Sequence, residues 1–323
     1  MSFDALQDSI KAKKNPTVAG LDARVEYVPP FILKKYTGQY GETLEAAAQA
    51  VLEFDKGLID ALADVVPAVK PQSAYFEMLG WQGMKALEEI IAYAKSKSLF
   101  VIADVKRGDI GTTAAAYSEA WLGTTQVGSA SCPVFDADCV TLNGYMGSDA
   151  IKPFLKDCSE RDKCAFVLAK TSNPSSVELQ DMVAGDRLVY TVMGDLIQRW
   201  GAGTEGRHHY QALGAVVGAT HPSVLKELRR RLDKVFFLVP GYGAQGGTAA
   251  DVRYAFDELG RGAIVNASRS ILCAWQKTGK TARTTRRPPG PPPRRCGTRS
   301  SGTSPYCKEG RPCRFNRFVP SPR

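Results

Sequence analysis

Short apolar runs alternate with amphipathic stretches along most of this chain. The runs fall at 17–21, 68–71, 99–105, 139–142, 165–169, 215–219, 235–239 and 263–266. Each is nearly continuous in apolar residues, the pattern of a strand covered on both faces. Between them, apolar positions recur at helical spacing over 44–62, 84–97, 113–122, 188–200, 222–232 and 249–259. Strands alternating with helices predict an α/β protein with a parallel sheet. A count of eight strands over roughly 260 residues favours a closed (β/α)8 TIM barrel over an open doubly wound sheet. No G-x-G-x-x-G follows the first run, which weakens a dinucleotide-binding alternative.

A barrel gathers its chemistry where its strands end. The third run is the densest in this respect: Leu99-Phe-Val-Ile-Ala is followed by Asp104, Lys106 and Asp109. Asp104 and Lys106 are two apart, so on a strand both point to one face. A buried strand rarely ends in three charges unless they are paired or used. Lys70 closes the second run. Lys70, Asp104, Lys106 and Asp109 can therefore form an alternating array of little net charge, buried with each member paired. Such an array fixes Lys106 as an ammonium aimed into a pocket, suited to protonating a carbanion as general acid. Asp104 would press against a substrate carboxylate and favour its loss as carbon dioxide. A purely structural ion-pair network is the plain alternative.

The seventh run ends in Pro240-Gly241-Tyr-Gly-Ala-Gln245-Gly-Gly, whose backbone N–H groups can approach an anion closely. The eighth ends in Asn266-Ala-Ser268-Arg269, and Arg269 can grip a phosphate with two parallel hydrogen bonds. These are the two loops between which barrels often hold phosphate. Asp22, after the first run, suits a sugar hydroxyl or a helix cap. Ser172, after the fifth, suits a base edge or a turn. The fourth run ends in Thr141-Leu-Asn143. His208 and His209 follow the glycine-rich 201–206 and read as loop residues, with a mobile lid as the weaker reading.

Composition adds limits. At 323 residues and 44% apolar, the chain has the make-up of an ordinary soluble protein with a large core. No run of about 18 apolar residues exists to span a membrane, and the first residues lack the basic and apolar regions of a signal peptide. The expected compartment is the cytoplasm. The eight cysteines include no C-x-x-C pair, and the three histidines lack metal-ligand spacing. Reduced, packed thiols and no metal are expected.

The net charge of +9 is unevenly placed. Residues 277–323 hold 13 of the 42 Lys+Arg and one of the 33 acids, leaving 29 basic and 32 acidic residues in 1–276. The same segment holds nine of the 19 prolines after residue 287, a composition that neither forms helices nor buries enough surface to order itself. The expected organisation is a barrel over 1–276 and an aberrant, disordered basic tail over 277–323. The eighth helix begins at 271–275 and then loses its pattern; an added disordered arm would look like this too, but a tail read in a shifted frame is favoured, because a helix the barrel needs is cut short. Binding of nucleic acid by the tail is not expected, because polybasic disorder is common and unspecific.

With these residues in view, the chain resembles the orotidine 5′-phosphate decarboxylase family, in its larger bacterial subgroup, from about residue 10 to about residue 275. Asp104-Val-Lys106-Arg-Gly-Asp109-Ile-Gly-Thr-Thr113 resembles the family's D-x-K-x-x-D-I signature extended by its threonine. Lys70-Pro-Gln72 with Tyr75-Phe-Glu77, and Thr171-Ser-Asn-Pro174, resemble features of the subgroup. The resemblance implies a cofactor-free decarboxylation of orotidine 5′-phosphate to UMP, the last step of de novo pyrimidine synthesis. It implies that Lys70, Asp104, Lys106 and Asp109 form the catalytic array, with Lys106 delivering a proton to C6. Asp109 and Thr113 would complete the site of a partner subunit, hence a homodimer. Asp22 would contact ribose, Ser172 the pyrimidine, and Gln245, Ser268 and Arg269 the phosphate. Metal-dependent sugar-phosphate enzymes of the same superfamily share D-x-K-x-x-D but usually carry a magnesium-binding glutamate where this chain has Lys70. The departure from the family is the tail, so a catalytically impaired phosphate- or nucleic-acid-binding protein is the alternative of another class.

Overall fold

The structure is a computed structural model that describes residues 2–243 and 247–278. Eight strands form a closed, all-parallel barrel: β1 (Thr17–Leu21), β2 (Ala68–Pro71), β3 (Phe100–Arg107), β4 (Cys139–Leu142), β5 (Cys164–Lys170), β6 (Leu213–Val217), β7 (Phe237–Val239) and β8 (Ala263–Ala267). Each pairs with its neighbours in sequence, and β1 closes the cylinder against β8 through Thr17–Val265 and Val18–Asn266. The longer helices are α1 (Ser2–Lys13), α2 (Pro30–Tyr40), α3 (Leu44–Leu62), α4 (Gly80–Ser96), α5 (Gly111–Trp121), α6 (Lys152–Arg161), α7 (Val189–Trp200) and α8 (Pro222–Arg231). The apolar runs are strands because both of their faces are covered, by these helices outside and by other strands' side chains within.

The interior of the barrel is filled by Val18, Ala68, Phe100, Ile102, Cys139, Cys164, Phe166, Phe236 and Ile264. Helix α1, absent from the sequence-based expectation, seals its N-terminal end. Phe3, Leu6 and Ile10 lie on one face at helical spacing and join this interior cluster. The Phe3 ring stacks on Phe236 at 4.8 Å and tilts against Phe166 at 5.0 Å. The Asp4 carboxylate accepts the amides of Arg207 and His208 at 2.9 Å each, and Gln7 Oε1 accepts the Gly262 amide at 3.0 Å. The glycine-rich 201–206 segment therefore belongs to the plugged end: a Cβ on Gly206 would lie 2.3 Å from Asp4 Oδ2. It is no lid over the strand C-termini, and His208 pairs with Asp8 at 2.8 Å.

Two helical expectations need correction. The pattern at 249–259 yields only a short helix, Ala249–Val252, and a 3-10 turn, Arg253–Ala255. The Ala255 carbonyl accepts from Arg229 Nε at 2.8 Å, and the Leu259 amide is taken by Asp257 Oδ1 at 2.9 Å. The bond that would extend the helix is thus diverted at both ends. After β8 the chain forms Arg269–Leu272 and Ala274–Thr278, and Trp275 Nε1 donates to the Tyr27 carbonyl at 3.0 Å. The basic segment expected to be a tail lies, from residue 279 on, outside the described residues. Of the cysteines, Cys139, Cys158 and Cys164 are buried free thiols, while Cys132 is exposed. No helix among the described residues is long and apolar enough to cross a membrane.

Helix α3 carries an apolar face against the barrel, and Asp55 sits fully buried within it. Neither Asp55 carboxyl oxygen has a hydrogen-bond partner. Burial, and secondarily the nearby Asp22, push its carboxyl well above the usual carboxylate range. A carboxyl raised on folding holds its proton after the unfolded chain has lost it. Stability therefore falls, by about 1.4 kcal/mol per pH unit, as pH climbs from the unfolded value toward the folded one. Asp55→Asn should be more stable than the parent, by a margin that widens from pH 4 to pH 7. Urea midpoints at several pH values test this, and a pH-independent margin would contradict it.

Candidate active site

The strand C-termini open into a cavity of about 1100 Å³. Its lining divides in two. Leu168, Val216 and Leu238, from β5, β6 and β7, give it an apolar wall, while Lys70 from β2, Asp104 and Lys106 from β3, and Asp22 just after β1 supply charge. Charges facing an apolar wall are poorly solvated, so each interacts more strongly with its neighbours than it would in water.

Asp104 is the centre of the cluster. Lys70 Nζ donates to its Oδ2 at 2.5 Å and Lys106 Nζ to its Oδ1 at 2.7 Å. Thr141 Oγ1 donates to Oδ1 at 2.9 Å. Lys70 Nζ also lies 3.9 Å from Asp22 Oδ1. Lys70 and Asp104 are buried, whereas the Lys106 side chain is 47% exposed and faces the cavity. Burial alone would raise the Asp104 carboxyl, but the two ammonium groups and their hydrogen bonds outweigh it and hold the carboxyl far below its usual range. Burial would likewise lower Lys70, yet Asp104 and Asp22 raise it. Asp104 therefore stays ionised beside any ligand that enters.

Residues two apart on a regular strand share a face, but β3 is not regular where these two meet. Between the pairs Ala103–Val140 and Arg107–Leu142, three β3 residues face the single β4 residue Thr141. Lys106 takes a left-handed backbone conformation, φ 46°, in this bulge. The bulge turns Lys106 so that its ammonium reaches back to Asp104.

The remaining candidates fall into three groups. Ser172, Pro240, Gly241, Ser268 and Arg269 line the cavity with Asp22. Ser268 stands so close to β1 that a Cβ on Gly20 would lie 2.0 Å from its hydroxyl oxygen; only glycine permits this approach. Asp109 and Thr113 do not line this chain's own cavity. Asp109 Oδ1 accepts the Ile110 amide at 2.8 Å, and Thr113 is exposed at the start of α5. Gln245 lies outside the described residues.

Residue-type reasoning assigned no role to Asn266 or Gln180. Asn266 Nδ2 donates to Ser268 Oγ at 3.0 Å, and its buried Oδ1 has no partner. Gln180 Oε1 accepts the Thr171 amide at 2.9 Å, and neighbouring Asp181 pairs with buried Lys170 at 2.6 Å, so the segment after β5 is tied across the mouth. Asn266 was readable as a polar residue at a strand end; Gln180 was not, because only tertiary folding brings it back over β5. Among the described residues no group of three or more His, Cys, Asp or Glu side chains could hold a metal ion.

Fold and site together define a barrel enzyme with a cluster of paired charges at the C-terminal mouth of its strands. The chain belongs to the orotidine 5′-phosphate decarboxylase / HUMPS family, whose model matches residues 49–283. It is 40% identical over 273 residues to the orotidine 5′-phosphate decarboxylase of Caldicellulosiruptor bescii, covering 84% of this chain and 90% of that protein. It is 41% identical over 261 residues to the protein of the same name from Rhodopirellula baltica, covering 81% and 84%. The solved structure of Leishmania donovani OMP decarboxylase superposes with a TM-score of 0.65 at 31% identity, covering 84% of this chain and 90% of that one.

The charge cluster also contributes to folding. The depressed Asp104 carboxyl contributes stability above the unfolded carboxylate value, lost as pH falls. The raised Lys70 contributes stability below the unfolded lysine value, lost as pH rises. The shared window runs from about pH 4 to about pH 10. Asp104→Asn leaves the buried Lys70 ammonium with only Asp22, 3.9 Å away, as counter-charge and should cost about 3 kcal/mol of stability at neutral pH. Denaturant titration reads this directly, and an unchanged midpoint would show that the cluster does not hold the mouth together.

Proposed function

We propose that this chain decarboxylates orotidine 5′-phosphate to UMP through the Lys70–Asp104–Lys106 array, without a metal or organic cofactor. The observation that carries the reading is Asp104, held ionised between two ammonium groups at 2.5 and 2.7 Å in one cavity. A substrate carboxylate brought beside Asp104 meets a negative charge that cannot be neutralised cheaply. Heterolysis of the C6–carboxylate bond removes that repulsion: neutral carbon dioxide leaves, and the electron pair stays on C6. The carbanion lies in an orbital orthogonal to the ring π system, so the protein must stabilise it electrostatically. Lys106 Nζ then gives a proton to C6 and recovers one from water. Lys70 supplies the cation beside Asp104, at the strand end where a metal-dependent relative would place a carboxylate for magnesium.

Phosphate is assigned to Pro240, Gly241, Gln245, Ser268 and Arg269, ribose to Asp22 and the pyrimidine to Ser172. The lining positions of all but Gln245 support this division. Phosphate, remote from C6, contributes binding energy that holds the ring against the array. We further assign Asp109 and Thr113 to the site of a second copy in a homodimer. Both lie outside their own cavity. The loops after β2, β3 and β4, with the first turn of α4, expose Met78, Trp81, Ile110, Tyr145 and Met146 at the same end of the barrel, an apolar set suited to burial against another chain. The proposed working unit is the barrel over 1–276, acting in the cytoplasm where nucleotides are made, with 277–323 dispensable.

Loss of orotidine 5′-phosphate absorbance in the presence of chelator tests the reaction. Lys106→Ala and Asp109→Ala should each be inactive while folded, and a mixture of the two should regain part of the activity. Failure to complement, with mixed dimers demonstrated, would refute the shared site. Deleting residues after 276 should preserve or improve turnover; loss of turnover in a folded product would make the tail part of the function.

A further inference from the structure

We propose that Thr141 is a positioning residue for the reaction, its hydroxyl setting both the aim of the Asp104 carboxylate and the backbone turn that directs Lys106. The proposal deepens the decarboxylase reading and rests on it. In the β3–β4 ladder, Ala103 pairs with Val140 and Arg107 with Leu142. Asp104, Val105 and Lys106 therefore face one β4 residue, and the backbone of that residue cannot pair with all three. The Thr141 side chain makes up the deficit. Its Oγ1 accepts the amides of Val105 and Lys106, each at 3.0 Å, and donates to Asp104 Oδ1 at 2.9 Å.

A hydroxyl has one proton and two lone pairs. All three are used, so the orientation of this buried group is fixed. Each bond has a distinct consequence. The donated proton occupies one direction around Oδ1 and leaves Lys106 Nζ the other, at 2.7 Å. The bond from the Lys106 amide holds that residue at φ 46°, a conformation a lysine adopts only when its surroundings impose it. The bond from the Val105 amide satisfies a buried donor that would otherwise be orphaned. Removing the hydroxyl releases the turn, and the Lys106 side chain loses its bearing on the reacting carbon. The contacts assigned to ribose, phosphate and base, just after β1, β5, β7 and β8, are left in place. The loss should therefore fall on the chemical step and not on ligand binding.

The test compares Thr141→Val, which keeps the shape and removes the hydroxyl, with Thr141→Ser, which keeps the hydroxyl. Thr141→Val should lower kcat about 10- to 100-fold, with KM for orotidine 5′-phosphate and the inhibition constant of UMP within about threefold of the parent. Thr141→Ser should restore kcat to within about threefold. Parental kcat in Thr141→Val, or an equal loss in both variants, overturns the proposal. So does a loss of kcat matched by a parallel rise in KM and in the UMP constant, the signature of general damage. Should Thr141→Val not fold, Thr141→Cys replaces it, sulfur being a weak donor and acceptor; its kcat must fall while that of Thr141→Ser does not. An unmodified protein inactive on orotidine 5′-phosphate would instead sink the decarboxylase reading, a separate outcome.

Discussion

One carboxylate between two ammonium groups governs the architecture of the barrel mouth. Asp104 is buried with Lys70 on one oxygen and Lys106 on the other. An isolated buried charge costs several kcal/mol, and a pair repays this only when its geometry is good and its remaining lone pairs are satisfied. The third partner, Thr141, supplies that satisfaction and ties β3 to β4 where the ladder lapses. In the bulge Lys106 takes a left-handed conformation, and its ammonium lies on a carboxylate two residues earlier. Local backbone irregularity is thus balanced by electrostatic order.

The two ends of the barrel divide the labour. The N-terminal end is closed by aromatic stacking beneath Phe3 and by backbone amides that donate to Asp4 and Gln7 of α1. That end is stabilised and carries no cavity lining. At the other end, eight strands end around one cavity, with an apolar wall opposite the charged one. Fixed dipoles and charges in such a place need not reorganise when charge shifts during a reaction.

Much of this was legible in the sequence. The runs 17–21, 68–71 and 139–142 coincide with β1, β2 and β4, and 44–62 with α3, because both faces of a barrel strand are buried and the pattern there is unambiguous. Ends that depend on distant partners were less legible. Strand β7 starts at Phe237 and not 235, where the Val235 carbonyl accepts from Arg229 instead. Helix α1 carries apolar residues at 3, 6 and 10, yet its role as a plug is invisible until an open barrel end exists to receive it. The helix predicted at 249–259 failed because Arg229, on another element, captures a carbonyl that the local pattern reserves for the helix.

The sequence by itself determined the eight-fold alternation, the strand ends at which polar residues collect, and the residue types Lys70, Asp104, Lys106, Ser268 and Arg269 that line the cavity. These follow from periodicity and charge, which are local properties of the chain. Tertiary structure decided that Thr141 serves Asp104 and Lys106 together, that Asp109 and Thr113 turn away from their own cavity, and that Asn266 and Gln180 border it. Those facts depend on strand register and on the path of returning loops. Both are set by the closure of the cylinder as a whole, through contacts between residues far apart in the chain, so no local pattern encodes them.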